Sequence, residues 1–225
     1  MAIAIGQQGK AADVLELGTY SPLYSQGTKI HPCIVSDFTV GVEGTGTATQ
    51  ANYMLLGTGA TAAGRGYGYR TLYLLSDVAT DTLSWDLELR LRAVISRISS
   101  SANIFARMQI KNGHTEADLG AVGIGILIKN YEIFAESYGT GRAETTTGIT
   151  MVTTVPYTID IIHKPAVGVY FYVNGVLKVS HTVAANIPLG DISNPRLSFS
   201  IDNQADNATV YLSIMDMPII WQASN

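Results

Sequence analysis

From about residue 34 onward the chain alternates between apolar and polar positions with a period of two. The clearest run is residues 83–94, L-S-W-D-L-E-L-R-L-R-A-V. Trp85, Leu87, Leu89 and Leu91 fall at one parity; Asp86, Glu88, Arg90 and Arg92 fall at the other. That pattern predicts an antiparallel strand buried on one side only. Residues 104–110 repeat it, with Ile104, Ala106, Met108 and Ile110 opposing Phe105, Arg107 and Gln109. Residues 121–129 are almost wholly apolar, as expected of a strand covered on both faces.

Residues 167–180, V-G-V-Y-F-Y-V-N-G-V-L-K-V-S, set Asn174-Gly175 between two β-rich runs. A two-residue Asn-Gly loop favours a type I′ hairpin, because both positions need φ > 0. Pairing across it places Val173 opposite Val176 and Tyr172 opposite Leu177. Tyr170, Tyr172, Leu177 and Val179 then share one face, and Val169, Phe171, Val173, Val176 and Lys178 the other. Both faces are largely apolar, so the hairpin is expected in the centre of the sandwich or with its outer face against a partner.

Further short strands are predicted at residues 34–42, 52–56, 69–75, 131–137, 157–163, 196–201 and 209–215, with residues 217–221 closing the chain. Residues 44–49 read as an edge strand or a loop. Residues 144–155 read as a loop followed by a strand. No long amphipathic helix and no internal repeat interrupts this series. Many short strands between turn signals predict an all-β fold, a two-sheet antiparallel jelly-roll sandwich over residues 31–225. Residues 1–30 lack a period and are expected to form an N-terminal arm that docks on its own domain or on a neighbouring subunit.

Composition narrows the function. Charged residues make up 14% of the 225 and hydrophobic ones 47%, so the surface relies on Thr, Ser, Asn and Gly and suits a protein partly covered by neighbours. The net charge is −4 and the 14 Lys and Arg are scattered, which argues against nucleic acid, whose phosphates require a concentrated basic face. The single cysteine, Cys33, forms no intrachain disulfide and reads as a small buried residue. The N-terminal stretch lacks a basic region and a long apolar core, and no run approaches about 18 apolar residues, so neither a signal peptide nor a membrane span is expected.

The order of elements resembles the concanavalin A-like, laminin-G-like jelly roll. The resemblance rests on the W-D-L-E-L-R-L-R strand, the 157–163 strand, the V-Y-F-Y-V-N-G-V-L-K-V hairpin and the final T-V-Y-L-S-I-M-D-M strand, and spans about residues 37–221. With Asp37-Phe38 and a Gly/Thr-rich early segment, it looks like the version found in phage and viral structural proteins. That resemblance implies a non-enzymatic structural protein of a virion or similar extracellular assembly. Such a protein would be made in the cytoplasm and would act as a homo-oligomer with other assembly proteins and by surface display. The alternative it implies is a carbohydrate-binding, host-recognising module; a polysaccharide lyase or glycosidase comes third.

Asp86 and Glu88 share a face, but the paired-carboxylate pattern of glycosidases of this fold, Glu-x-Asp-x-x-Glu, is absent, and a charge ladder with Arg90 and Arg92 accounts for them. Alginate lyases of the same fold carry Arg-x-Glu-Leu-Arg and Gln-Ile-His strands. Here Glu88-Leu89-Arg90 and Gln109-Ile110-Lys111 match in part, and the histidine is replaced by Lys111. His31, His114, His163 and His181 are spaced singly, without zinc-site pairing, and are expected at the surface or at strand edges. Asp202-Asn203-Gln204-Ala205-Asp206-Asn207 offers oxygen ligands for calcium but lacks an EF-hand pattern, so a solvated turn is expected. No cofactor is expected. Tyr67 and Tyr69, both tryptophans, and above all Tyr131, Tyr138, Tyr170 and Tyr172 are candidate contact residues, for a glycan or for a protein interface.

Overall fold

The computed structural model describes residues 29–32, 38–50, 53–59, 64–72, 82–97, 105–112, 122–202, 210–214 and 219–222. The predicted arm lies outside them except for Lys29 and Ile30; Cys33 and His114 also lie outside. The strands in chain order are β1 (Lys29–Pro32), β2 (Thr39–Glu43), β3 (Thr47–Gln50), β4 (Met54–Gly57), β5 (Arg65–Thr71), β6 (Thr82–Ser84), β7 (Leu89–Arg97), β8 (Phe105–Asn112) and β9 (Gly123–Lys129). They continue with β10 (Glu132–Tyr138), β11 (Arg142–Thr150), β12 (Pro156–Lys164), β13 (Gly168–Val173), β14 (Val176–His181), β15 (Asp191–Ser193), β16 (Pro195–Asp202), β17 (Tyr211–Ile214) and β18 (Ile219–Gln222). One 3₁₀ turn, Ala184–Asn186, follows β14. No described helix is long and apolar enough to cross a membrane.

Two large antiparallel sheets form the sandwich. One has nine strands, in the order β14-β13-β12-β7-β17-β4-β3, with β18 alongside β17 on the same flank of β7 and β1 beyond β18. The other has seven, in the order β11-β10-β9-β8-β16-β5-β2. The short pair β15-β6 stands apart. Alternation explains the layer between them. Leu89, Leu91, Ala93 and Ile95 of β7 face Met108 and Ile110 of β8, Ile124 and Ile126 of β9, and Phe199 of β16 across one apolar core. Removing such surface from water is the main favourable term in folding.

Several sequence expectations are revised by the structure. The 83–94 run is divided: β6 ends at Ser84, Trp85 and Asp86 turn, and β7 begins at Leu89. Trp85 is buried nonetheless, its ring set edge-on to that of His163 at a centroid distance of 5.1 Å. The 144–155 segment is a strand followed by a turn rather than the reverse. The edge strand expected as one reading of 44–49 does form, as β3 over residues 47–50.

The Asn174-Gly175 turn forms as expected, with φ of 51° and 76°, and Asn174 Oδ1 accepts from the Thr158 amide. Val173 pairs with Val176 and Tyr172 with Leu177, but Phe171 then pairs with Val179. Lys178 is the extra residue of a bulge. It moves Val179 onto the core face, opposite to the expected side. The hairpin also lies at the sheet margin, because β14 is an edge strand. A bulge carrying a lysine is a device that discourages edge-to-edge pairing.

His163 and His181 are buried, not superficial. Both follow the inward parity: His163 continues Ile159 and Ile161 on β12, and His181 continues Val179 on β14. His163 Nε2 donates to the Pro188 carbonyl at 2.9 Å. The His181 ring spans the gap between the sheets, with Nδ1 2.7 Å from Ser137 Oγ of β10 and Nε2 3.1 Å from Thr145 Oγ1 of β11. Desolvation lowers the pKa of His163 and brings that of His181 down to about 4.

A histidine with a depressed folded-state pKa takes its proton preferentially in the unfolded chain. Its stabilising share is therefore complete above the unfolded value of 6.5 and is lost as pH falls toward about 4. Urea midpoints are expected to fall steadily over that window, with His181 alone contributing up to about 3 kcal/mol. The dependence should flatten, without vanishing, in His181→Gln. Stability that is level or rising as the pH is lowered would contradict this.

Candidate functional site

The apolar layer takes one parity of each strand in the seven-stranded sheet and leaves the other for the outer face. On β8 the core takes Ala106, Met108 and Ile110, so Phe105, Arg107, Gln109 and Lys111 point outward. On β10 it takes Ile133 and Ala135, leaving Phe134, Glu136 and Tyr138. On β16 it takes Leu197, Phe199 and Ile201, leaving Arg196, Ser198, Ser200 and Asp202. On β5, Gly66 and Gly68 are buried, and Tyr67 and Tyr69 face outward.

The register assembles these into rows. Glu136, Gly125, Gln109, Ser198 and Tyr69 lie side by side across five strands. The next row holds Tyr138, Gly123, Lys111, Arg196 and Thr71. The centre of this face is polar and buried: Arg107, Gln109, Lys111 and Glu136 are all at least nine-tenths covered. Around it Tyr67, Tyr69, Phe105, Phe134, Tyr138 and Arg196 are half-buried. Glycine at 125 makes the centre possible. A Cβ there would lie 2.8 Å from Gln109 Cγ, so only glycine lets Gln109 cross β9 and reach β10.

Gln109 Nε2 donates to Glu136 Oε2 at 3.2 Å, and Arg142 Nη2 donates to Glu136 Oε1 at 2.5 Å. The same Arg142 nitrogen reaches Glu144 Oε2 at 3.1 Å, and Lys129 pairs with the other oxygen of Glu144. The Glu136 side chain is fully buried, and these donors meet both of its oxygens. Cations also lie against the aromatic rings. Arg196 Cζ is 4.4 Å from the Tyr69 centroid, and Lys129 Nζ is 5.0 Å from that of Phe134. Arg107 Nη1 lies 3.4 Å from Asp202 Oδ2. Asp202, the first residue of the calcium candidate, is thus paired with an arginine; residues 203–207 lie outside the described residues. Among the described residues no group of three or more His, Cys, Asp or Glu side chains could hold a metal ion.

The four leading tyrosines do not come together. Tyr138 belongs to this face. Tyr170 and Tyr172 lie on the outer face of the opposite sheet, on β13, where Tyr172 pairs with Asp160 and Tyr170 with Ile162. Tyr131 is buried in the β9–β10 turn beneath Arg97. Trp85 is buried, and the Trp221 side chain lies outside the described residues. The lyase-like tripeptides are also separated. Gln109 and Lys111 lie on the seven-stranded sheet, whereas Glu88 immediately precedes β7 of the other sheet and is bonded to Arg90 at 2.8 Å. Asp86 accepts from the Gly190 amide, and Arg92 pairs with Asp160 on β12. Glu136, Phe134 and Arg196 were not singled out in sequence. The alternation I-F-A-E-S-Y at 133–138 carries the signal, since it sets Glu136 at the parity of Phe134 and Tyr138.

No family model matches this sequence, and no curated protein matches it. Solved structures do. The carbohydrate recognition domain of Emp47p is similar with a TM-score of 0.59 at 9% identity, over 91% of this chain and 97% of that one. The potassium-bound carbohydrate recognition domain of Emp46p scores 0.55 at 13% identity, over 82% and 88%. A native glycosidic hydrolase scores 0.57 at 9% identity, over 89% and 97%. The fold is a concanavalin A-like jelly roll. At these identities the likeness establishes the architecture expected from the hairpin and its flanking strands, and the viral version of the resemblance gains nothing from it.

The buried carboxylate gives a direct test of the central cluster. Arg142→Ala leaves Glu136 with Gln109 as its described donor. It is expected to cost about 2 kcal/mol in urea unfolding, below the cost for a fully buried pair because Arg142 is one-third exposed. Adding Glu136→Gln should recover much of that loss. If the double variant is less stable than Arg142→Ala alone, the carboxylate does not depend on the arginine.

Proposed function

We propose that this chain is a glycan-binding domain whose ligand surface is the outer face of the seven-stranded sheet. The observation that carries the proposal is the set of half-buried aromatic rings, Tyr67, Tyr69, Phe134 and Tyr138, around a centre of Arg, Gln, Lys and Glu side chains. A pyranose ring has apolar C–H faces and a rim of hydroxyls. Aromatic rings cover the former, and amide, guanidinium and carboxylate groups hydrogen-bond the latter. The similarity to the carbohydrate recognition domains of Emp46p and Emp47p supports the same reading.

Binding rather than cleavage is favoured by the state of the carboxylates. Glu136 and Glu144 are tied to Arg142, and Glu88 to Arg90. The virion role rests on the sequence resemblance alone. One edge of the nine-stranded sheet, β14, carries the Lys178 bulge, which discourages extension of that sheet at that edge.

Glycan-array screening followed by titration calorimetry tests the proposal. Tyr69→Ala and Tyr138→Ala are each expected to weaken the best glycan about tenfold or more, as for a buried aromatic anchor. Tyr170→Ala, on the opposite sheet, should leave affinity within about twofold. A folded protein that binds nothing on a broad array, or whose binding is lost with Tyr170 but not with Tyr69 or Tyr138, contradicts the proposal.

A further inference from the structure

The end of the β10–β11 hairpin that presents Tyr138 and Arg142 to the outer face is held from inside the sandwich. Alternation makes this possible. Ser137 is fully buried between outward Glu136 and Tyr138. Thr145 of β11 pairs with Ala135, at the inward parity, and follows outward Glu144. Both reach the same side chain of the opposite sheet: His181 Nδ1 lies 2.7 Å from Ser137 Oγ, and Nε2 lies 3.1 Å from Thr145 Oγ1. The segment after β14 adds a second tie. Gly141 N in the hairpin turn donates to the Ala185 carbonyl at 2.7 Å, and a Cβ at Gly139 would lie 2.4 Å from the Ile187 carbonyl oxygen.

Core filling alone does not call for these groups. A valine or leucine at 181 would continue the parity of Val179 without burying two ring nitrogens. The histidine ring instead lies tilted against Phe171, with 5.1 Å between centroids, and meets both arms of the hairpin. The inward positions around it on β10, β11, β13 and β14 are uncharged; Glu136, Arg142 and Glu144 stand at the opposite parity, and His163 lies in the same row beyond Val169. Burial brings the pKa of His181 down to about 4, so near neutral pH the ring has one donor and one acceptor. Those match two hydroxyls, each able to give or take a hydrogen bond. A buried polar network whose members are all met fixes one arrangement of its strands, where apolar contact alone tolerates several.

We infer that His181 is a positioning residue for the ligand face: acting through Ser137 and Thr145, it fixes the end of the β10–β11 hairpin and with it the Tyr138 ring and the Arg142 guanidinium. It touches neither of those side chains and meets no ligand. Its effect passes through the backbone of two strands whose alternate residues face opposite ways. That Tyr138 and Arg142 meet a ligand rests on the glycan-binding reading; the hold on the hairpin end does not.

Side-chain magnetic resonance signals of the isotopically labelled full chain, with calorimetry, test the inference. His181→Leu keeps bulk against Phe171 but no polar atom. In it the Tyr138 ring and Arg142 Nε signals are expected to shift, while those of Tyr69 and Arg196, on the far strands of the sheet, stay in place. His181→Gln retains a donor and an acceptor and should lie between the parent and His181→Leu. Ser137→Ala combined with Thr145→Val removes the same bonds with the histidine present and should move the same signals, so the test does not depend on one variant folding; circular dichroism confirms the fold of each. Glycan affinity should fall about fivefold or more in His181→Leu, the weight of one hydrogen bond. Tyr138→Ala should then cost less in that background than in the parent, because the two residues act as a unit. Unmoved Tyr138 and Arg142 signals in the folded variants, or an equal cost of Tyr138→Ala in both backgrounds, would overturn the inference. A chain that binds no glycan defeats the ligand reading, and the signals alone then decide whether His181 holds the hairpin end.

Discussion

The two sheets meet in a single apolar layer, and each strand that crosses it gives up every second side chain to that layer. This constraint determines what the remaining side chains can do. On β8, once Ala106, Met108 and Ile110 turn inward, Arg107, Gln109 and Lys111 have only the outer face to occupy. The same division places Glu136 beside Phe134 and Tyr138, and Arg196 beside the Tyr69 ring. A one-residue slip of either strand would reverse every assignment, so the candidate surface depends on the core packing that fixes register.

Much of the architecture is legible in the sequence because period-two patterning and the Asn174-Gly175 turn are local signals. The hairpin forms at the expected residues, and residues 123–128 of β9 are buried on both faces as the composition of the 121–129 run implies. The departures from that pattern depend on geometry that local patterning does not encode. The Lys178 bulge reverses the side of Val179, and nothing in V-L-K-V-S marks it. His163 and His181 look like isolated polar residues, yet their parity is that of Ile161 and Val179, which an alternation count extended by one step would have caught.

The candidate face was less legible, because it is made by register between distant strands. Gln109 meets Glu136 only because β9 lies between their strands and carries glycine at 125. The partial lyase tripeptides fail for the converse reason: residues that look related in sequence belong to different sheets. With charged residues at only 14% of the chain, the ion pairs that do form are concentrated on sheet faces, and a carboxylate as buried as Glu136 exists only because Arg142 and Gln109 converge on it.

The central claim is that the outer face of the seven-stranded sheet is the ligand surface. Backbone amide shift mapping of the isotopically labelled chain, titrated with its best-binding oligosaccharide, tests it most directly. Shifts concentrated on β5, β8, β10 and β16, with β13 and β14 unmoved, are the predicted result. Shifts concentrated on β12–β14, or spread evenly over both sheets, would contradict it.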